Sequence, residues 1–243
     1  MKVLVCISCV PDTTSKISFI DKKSFNSDGV QYIIGPYEDY ALARAVELKE
    51  SNSDIDISVI NVGKESTEPI LRKALAIGAD RAYRINLEPK DSISVAKYLK
   101  KFIEENNFDL ILMGKESIDY NSGNVHHLVG AMLNITSFSP VTFLEVDGDS
   151  IIIKRETDIG IEKIKTRLPL VLGCQEPIAE WKIPNMRGIM NARSKELKVL
   201  DYGEADSVIS FDNYNVPTKK DEVKFFDKDD VNGLIDELKL KNI

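Results

Sequence analysis

An α/β fold with a doubly wound, mainly parallel sheet is predicted by two features of this sequence. Short, continuously apolar runs recur along the first half of the chain, and amphipathic helical stretches alternate with them. Lys2–Ile7 (KVLVCI) is a continuous apolar run suited to a strand covered on both faces, and Ile55–Val62 (IDISVINV) and Phe108–Met113 (FDLILM) read as further strands. An antiparallel hairpin region and an extended C-terminal arm are expected after them. At 243 residues the chain is long enough to bury a sizeable core in one domain.

The first strand does not lead directly into a helix. Polar stretches at Asp12–Ser18 and Asp21–Gly29 bracket short alternating segments, which predicts a small hairpin lying over the sheet edge. Gly35-Pro36 then punctuates the chain before a helix over Tyr37–Glu50. Ala41, Ala45 and Leu48 fall on one stripe of it, and Glu38 and Asp39 suit its N-terminal dipole. An excursion of this length between a strand and its helix is either functional or disordered, and this one carries too many apolar residues for disorder.

The second strand, Ile55–Val62, closes at Gly63. A helix over Thr67–Ile77 turns Leu71, Ala74 and Leu75 inward and stops at Gly78. Ala82–Ile85 is a third short strand, followed by a helix over Asp91–Asn107 with Val95, Leu99 and Ile103 facing the core. No GxGxxG fingerprint is present, so an ordinary dinucleotide-binding reading is weak.

The strand Phe108–Met113 delivers Gly114, Lys115 and Glu116 to one rim of the sheet. A polar turn containing Asp119, Asn121, Ser122 and Gly123 precedes a helix beginning near Asn124. A strand, a polar loop and a helix N-terminus together present unpaired backbone N–H groups, and such a nest suits a phosphate. Asn121 or Ser122 can equally serve only as a helix cap. His126 and His127 are the only histidines. As neighbours on a helix they point in different directions and make a poor metal pair, and no Ser/His/Asp arrangement can be assembled around them. No catalytic or metal-ligating set is assigned.

From Phe138 the pattern becomes hairpin-like. Asp147-Gly148-Asp149 and Asp158–Gly160 are expected reversals, and Pro169 introduces the apolar strand LVLGC. Beyond Gln175 well-spaced core residues are scarce until Val231–Leu240. The prolines Pro177, Pro184 and Pro217 and the basic stretch MRGIMNARSK predict an arm rather than a second folded domain, with Trp181 as an anchor on another subunit. Packing of the tail on its own domain is the alternative. A final helix, Asp229–Lys241, carries Val231, Leu234, Ile235 and Leu238 at helical spacing and needs a surface to cover. Residues 1–174 are thus expected to form the domain and residues 175–243 the arm.

The formal charge of −7 argues against a general nucleic-acid binder, but not against binding a nucleotide at a helix N-terminus. Cys6, Cys9 and Cys174 form no disulfide framework. Redox CxxC pairs open helices, whereas Cys6 lies within the first strand, so a structural role is expected for this pair. No apolar run approaches the roughly 20 residues of a membrane span. The N-terminus enters a strand without a signal-peptide pattern, which predicts a cytoplasmic location.

Six segments together carry a resemblance to a known family. They are VPDT at Val10–Thr13, GPYEDYALARAVELKE from Gly35, LRKALAIGADR at Leu71–Arg81, GKESID at Gly114–Asp119, LPLV at Leu168–Val171 and IMNARSK at Ile189–Lys195. In this order and spacing the chain resembles the small, or beta, subunit of electron transfer flavoproteins over essentially its whole length. The resemblance implies an adenine-nucleotide-binding α/β fold and a heterodimer with a larger alpha subunit that holds most contacts to a redox-active FAD. It implies electron passage from a dehydrogenase, such as an acyl-CoA dehydrogenase, to an acceptor.

By the same resemblance, Cys6, Ile7, Val62 and Gly63 wall the adenine, and Gly35-Pro36 forms the turn after the insertion, with Gly35 standing where asparagine is common. Asp119–Val125, including Asn121, Ser122, Gly123 and Asn124, corresponds to the phosphate loop, and Gly114, delivered to the rim by the preceding strand, is expected to join the cofactor site. Asn124 stands where glutamine is usual, and His126-His127 where electron-bifurcating members carry glycine and proline. The nucleotide implied is AMP as a structural ligand or, in bifurcating members, a second FAD to which NADH is brought. The 175–243 arm is expected to pack on the alpha subunit, and Ile183, Met186 and Ile189 to dock the dehydrogenase. A stand-alone ATP-binding protein or enzyme of related fold is the competing class.

Overall fold

The structure is a computed structural model, and it describes all residues except 149, 204–206, 211, 217, 219–221 and 241–243. Its frame is one nine-stranded sheet. In chain order the strands and helices are β1 (Lys2–Cys6), β2 (Cys9–Pro11), β3 (Ser18–Phe19), β4 (Phe25–Asn26), β5 (Tyr32–Ile34), α1 (Pro36–Ser51), β6 (Asp56–Val62), α2 (Glu68–Ile77), β7 (Arg81–Ile85), α3 (Ser92–Asn106), β8 (Leu110–Gly114) and α4 (Val125–Leu133). They continue as β9 (Thr136–Asp147), β10 (Ser150–Thr157), β11 (Gly160–Thr166), β12 (Leu170–Cys174), α5 (Met186–Ala192), β13 (Leu197–Leu200) and α6 (Val231–Leu240).

The sheet order is β11-β10-β9-β12-β8-β1-β6-β7-β13. From β9 to β13 every neighbouring pair is parallel, whereas β9–β10 and β10–β11 are antiparallel. β9 serves both regimes. Its beginning pairs with β12, starting at Thr136↔Leu170, and its end turns back into β10 at Val146↔Ile151. The two-sided burial inferred from the unbroken apolar runs is visible in β1. Val3 and Val5 pack into the cluster shared with α1 and α2, while Leu4 and Cys6 pack into the opposite cluster with α3 and α4. The fold is the doubly wound, mainly parallel α/β architecture with an antiparallel hairpin region and a helical C-terminal arm.

The insertion after β1 forms two small antiparallel pairs, β2–β5 and β3–β4. The reversal at Asp158–Gly160 connects β10 to β11, and the other expected reversal includes Asp149, which lies outside the described residues, as do Pro217 and the end of the terminal helix at Lys241.

Two elements beyond Gln175 depart from a featureless arm. Met186–Ala192, within the basic stretch, forms α5 against α2, and Leu197–Leu200 forms β13, which extends the parallel sheet beside β7. The signal was weak because β13 is a four-residue edge strand with a lysine in it and no fully buried residue, and α5 has seven residues. Long-range capping holds them. Arg72 Nη1 donates to the carbonyls of Ala192 (2.9 Å) and Lys195 (2.8 Å), and Lys195 Nζ donates to those of Leu75 (3.0 Å) and Ala79 (2.6 Å). Trp181, expected as an anchor on another subunit, is tied to its own domain. Its Nε1 donates to Asp39 Oδ2 at 2.9 Å, and its ring takes the Lys73 ammonium at 5.8 Å, although 60% of the residue stays exposed.

No helix among the described residues is long and apolar enough to cross a membrane. Leu112, on the central strand β8, is fully buried between α1 and the sheet neighbours. Leu112→Ala is expected to lower unfolding stability by about 3 kcal/mol. A urea titration checks this, and a loss of under about 1 kcal/mol would contradict the packing described.

Candidate functional site

β1 lies between β6 and β8, and the chain leaves it first toward β6 and later toward β8. This reversal is the topological switch point at which open α/β sheets bind ligands, beyond the carboxyl ends of the strands. A cleft of about 640 Å³ occurs there, within the span of about 300–1,000 Å³ usual for small-molecule sites. Its walls are Cys6 and Ile7 at the end of β1, Val62 and Gly63 at the end of β6, and Met113 and Gly114 at the end of β8. The segments 88–92 and 115–125 close two sides, and Tyr32 and Ser27 of the insertion reach the same space. Ile209 from the C-terminal arm completes the mouth. It is held by the Asp91 carboxylate, whose Oδ2 accepts from Ser207 Oγ (2.8 Å) and from the backbone N–H groups of Val208 (2.6 Å) and Ile209 (3.0 Å).

The rim loop is shaped by its own polar groups. Lys115 N–H donates to the Cys174 carbonyl at 2.9 Å, fixing the start of the loop to β12. Asp119 Oδ1 accepts from Ser117 Oγ and from the Tyr120 N–H. Asn121 and Gly123 are left-handed, at φ 50° and 58°, conformations that Asn and Gly tolerate best. The loop ends at α4, whose N-cap is Asn124, and no side chain caps this helix. The competing reading of Asn121 or Ser122 as a cap is therefore not what the geometry shows. Ser122 Oγ instead accepts from Ser92 Oγ at 3.1 Å. The first-turn N–H groups of α4 thus lie at the cleft without a side-chain acceptor, an arrangement that attracts an anion.

Three buried polar atoms without a partner belong to residues that line this cleft: Glu38 Oε2, Asn61 Oδ1 and His126 Nε2. Asn61 uses its other end to donate from Nδ2 to the Ile7 carbonyl at 2.8 Å, joining the end of β1 to β6. His126 is 2% exposed, and burial followed by the neighbouring His127 pushes its pKa down to about 4, so its imidazole is neutral. The two histidine rings lie 4.2 Å apart, and His127 Nδ1 is 2.8 Å from Ser137 Oγ. The Cys6 thiol is pushed up strongly by burial and then by Glu38, and that of Cys9 to about 11 by burial and then by Asp119. Both are protonated thiols at neutral pH, the opposite of an activated redox pair. No group of three His, Cys, Asp or Glu among the described residues is arranged to hold a metal ion.

Of the positions singled out from sequence, Cys6, Ile7, Val62, Gly63, Gly114, Asp119, Ser122, Gly123, Asn124 and Val125 line one cleft. Gly35, Pro36 and Asn121 do not. Gly35 stands behind the wall against Ser8 and Glu38, and Asn121 supplies the turn. Sequence reasoning missed Ser8, Asn61 and Thr67, and took Glu38 only as a helix-dipole residue. An acidic residue two positions after Pro36 reads as ordinary dipole complementation, and nothing local reveals that it is buried. Ile183 and Met186 are 78% and 76% exposed, on the far side of α2, and Ile189 borders a shallow groove with Pro69, Arg72 and Pro184.

Comparison with known proteins follows the same line. The family model described as electron transfer flavoprotein domain matches residues 23–205. Electron transfer flavoprotein subunit beta of Bacillus subtilis (strain 168) is 36% identical over 210 residues, covering 85% of this chain and 81% of that protein. The protein of the same description from Syntrophomonas wolfei is 31% identical over 221 residues, 90% of this chain and 87% of its own length. The human one is 28% identical over 210 residues, 84% and 82%.

The buried Glu38 also makes folding pH-dependent. Burial, and to a lesser degree the charges of Asp119 and Asp39, push its pKa from 4.5 up to about 7, against the opposing pull of the Ser8 hydrogen bond. Between these values the unfolded chain releases a proton that the folded chain keeps, so stability falls as pH rises from about 4.5 to about 7 and is level above that. The loss is about 3 kcal/mol. Glu38→Gln has no such proton to lose, so its stability relative to wild type is expected to improve by up to about 3 kcal/mol between pH 4 and pH 8. Denaturant unfolding at both pH values checks this, and a difference that does not move with pH would contradict it.

Proposed function

The chain belongs to the electron transfer flavoprotein family as a beta subunit, and we propose that it is the smaller half of a heterodimer that passes electrons from a dehydrogenase to an acceptor through FAD. The flavin, bound mainly by the larger alpha subunit, supplies the redox chemistry. This chain contributes a rigid α/β body, a second nucleotide and the surfaces that orient its partners.

The nucleotide is proposed to lie in the cleft at the switch point. What supports this is the convergence there of the uncapped N-terminus of α4 and three buried polar atoms without a partner. Cys6, Ile7, Val62 and Gly63 would wall the adenine, with Gly35-Pro36 setting the turn behind them. Gly114, Asp119, Asn121, Ser122, Gly123, Asn124 and Val125 would shape the phosphate end. We adopt AMP, in a structural role. The bifurcating reading places a second FAD on the same adenosine site and brings NADH to it. The competing class is an ATP-dependent enzyme of related fold, for which Lys115 and Asp119 of the rim loop are the candidate groups.

Residues 175–243 are proposed to pack on the alpha subunit. Val231, Leu234, Ile235 and Leu238 of α6 are all exposed in the isolated chain, which leaves an apolar stripe for that purpose. Ile183, Met186 and Ile189 are proposed to meet the dehydrogenase, acyl-CoA dehydrogenase being the class favoured, and the complex to work in the cytoplasm.

Acid release of the ligands from the purified heterodimer, followed by chromatography, is expected to yield one FAD and one AMP per heterodimer. Two FAD would overturn the AMP assignment. Met186→Ala is expected to slow electron transfer from an acyl-CoA dehydrogenase about tenfold, the loss of one interface anchor, while flavin content stays unchanged. Unaltered transfer kinetics would remove Met186 from the docking surface.

A further inference from the structure

We infer that Glu38 sets, through Ser8, the hydrogen-bond polarity that the floor of the cleft offers to a bound nucleobase, so that nucleotide affinity in this subunit is tuned by pH. The inference rests on the nucleotide reading of the cleft and assigns a positioning residue within it.

Ser8 and Glu38 both line the cleft, and Ser8 Oγ is hydrogen-bonded to Glu38 Oε1. Glu38 is 5% exposed, and its Oε2 is buried with no partner. The carboxyl is clamped from two sides by glycines. A Cβ at Gly35 would collide with Oε2, and one at Gly114 would stand 2.9 Å from it, so the backbone has been kept bare where this group sits. Among the described residues no cation acts on it. The charges it feels are those of Asp119 in the rim loop and Asp39 beside it on α1, both negative. The Lys73 ammonium of α2 is taken by Asp39 at 3.3 Å, and that of Lys115 rests over the Tyr37 ring at 4.7 Å and beside Glu116. Cys6 of β1 and Cys174 of β12, whose thiols feel the Glu38 charge, are protonated at neutral pH.

A carboxylate in this position would hold one oxygen with neither water nor a donor, so the neutral acid is the resting form until the pH approaches 7. The consequence passes to Ser8. When Glu38 is neutral its O–H donates to Ser8 Oγ, and the serine proton is free to turn into the cleft and donate to an acceptor nitrogen of an adenine ring. When Glu38 loses its proton to solvent, Ser8 must donate to the carboxylate, and Oγ then offers the cleft only lone pairs, which repel that nitrogen. One proton leaves, and one hydrogen bond to the base goes with it.

The experiment is calorimetric titration of AMP into the full-length chain in complex with its larger partner, freed of bound nucleotide, at pH 6 and pH 8. Wild type, Glu38→Gln and Ser8→Ala are compared, so that titration of the AMP phosphate cancels. Loss of one hydrogen bond is expected to weaken wild-type binding about tenfold more across this interval than it weakens either variant. Glu38→Gln, whose amide still donates to Ser8, should hold the acid-side affinity at both pH values. Ser8→Ala should hold the weaker alkaline one. If all three proteins share one pH dependence while AMP binds, Glu38 is only structural and this inference falls alone. If wild type binds no AMP at either pH while the complex keeps its FAD, the nucleotide reading of the cleft falls, and this inference with it.

Discussion

The constraint on which the rest depends is the parallel pairing of β1 between β6 and β8, with both of its faces buried. Val3 and Val5 on one side and Leu4 and Cys6 on the other commit the strand to two separate cores. A strand so placed cannot bring polar side chains to its faces, so polarity is displaced to its carboxyl end. There Ser8, Asn61 and Glu38 gather behind the last apolar residues, and the neighbouring strands contribute Gly63 and Gly114 with no side chain to fill the space. The cleft is a consequence of the winding.

Burial governs the chemistry of that cleft more than charge does. Glu38 keeps its proton until the pH approaches 7, the thiols of Cys6 and Cys9 hold theirs, and His126 gives its proton up, all chiefly because water is excluded. Among the described residues, the buried atoms of Glu38, Asn61 and His126 without a partner can offer hydrogen bonds to a base or a phosphate. The N-terminus of α4, which has no capping side chain to quench it, adds its positive field to that of Lys64, Lys90 and Lys115 along the same cleft. A family role in which the flavin carries the electrons agrees with such a site.

Much of this was legible in the sequence, for identifiable reasons. Continuous apolar runs named the inner strands, and the glycines, asparagines and serine of the rim loop named one side of the cleft, because local residue type is decisive in both cases. Glu38 and Asn61 were not legible as parts of the site, since their burial comes from strands and loops distant in sequence. β13 and α5 were missed because they are held from outside, by Arg72 and Lys195 reaching backbone carbonyls more than 100 positions away. The hydrogen bond from Trp181 to Asp39 was not legible either, since no periodicity announces that acceptor.

The most direct measurement of the central claim is an experimental structure of the purified heterodimer. A nucleotide is expected there, with its adenine between Cys6-Ile7 and Val62-Gly63 and its phosphate at the N-terminus of α4. An empty cleft, or a nucleotide bound elsewhere on this chain, would contradict it.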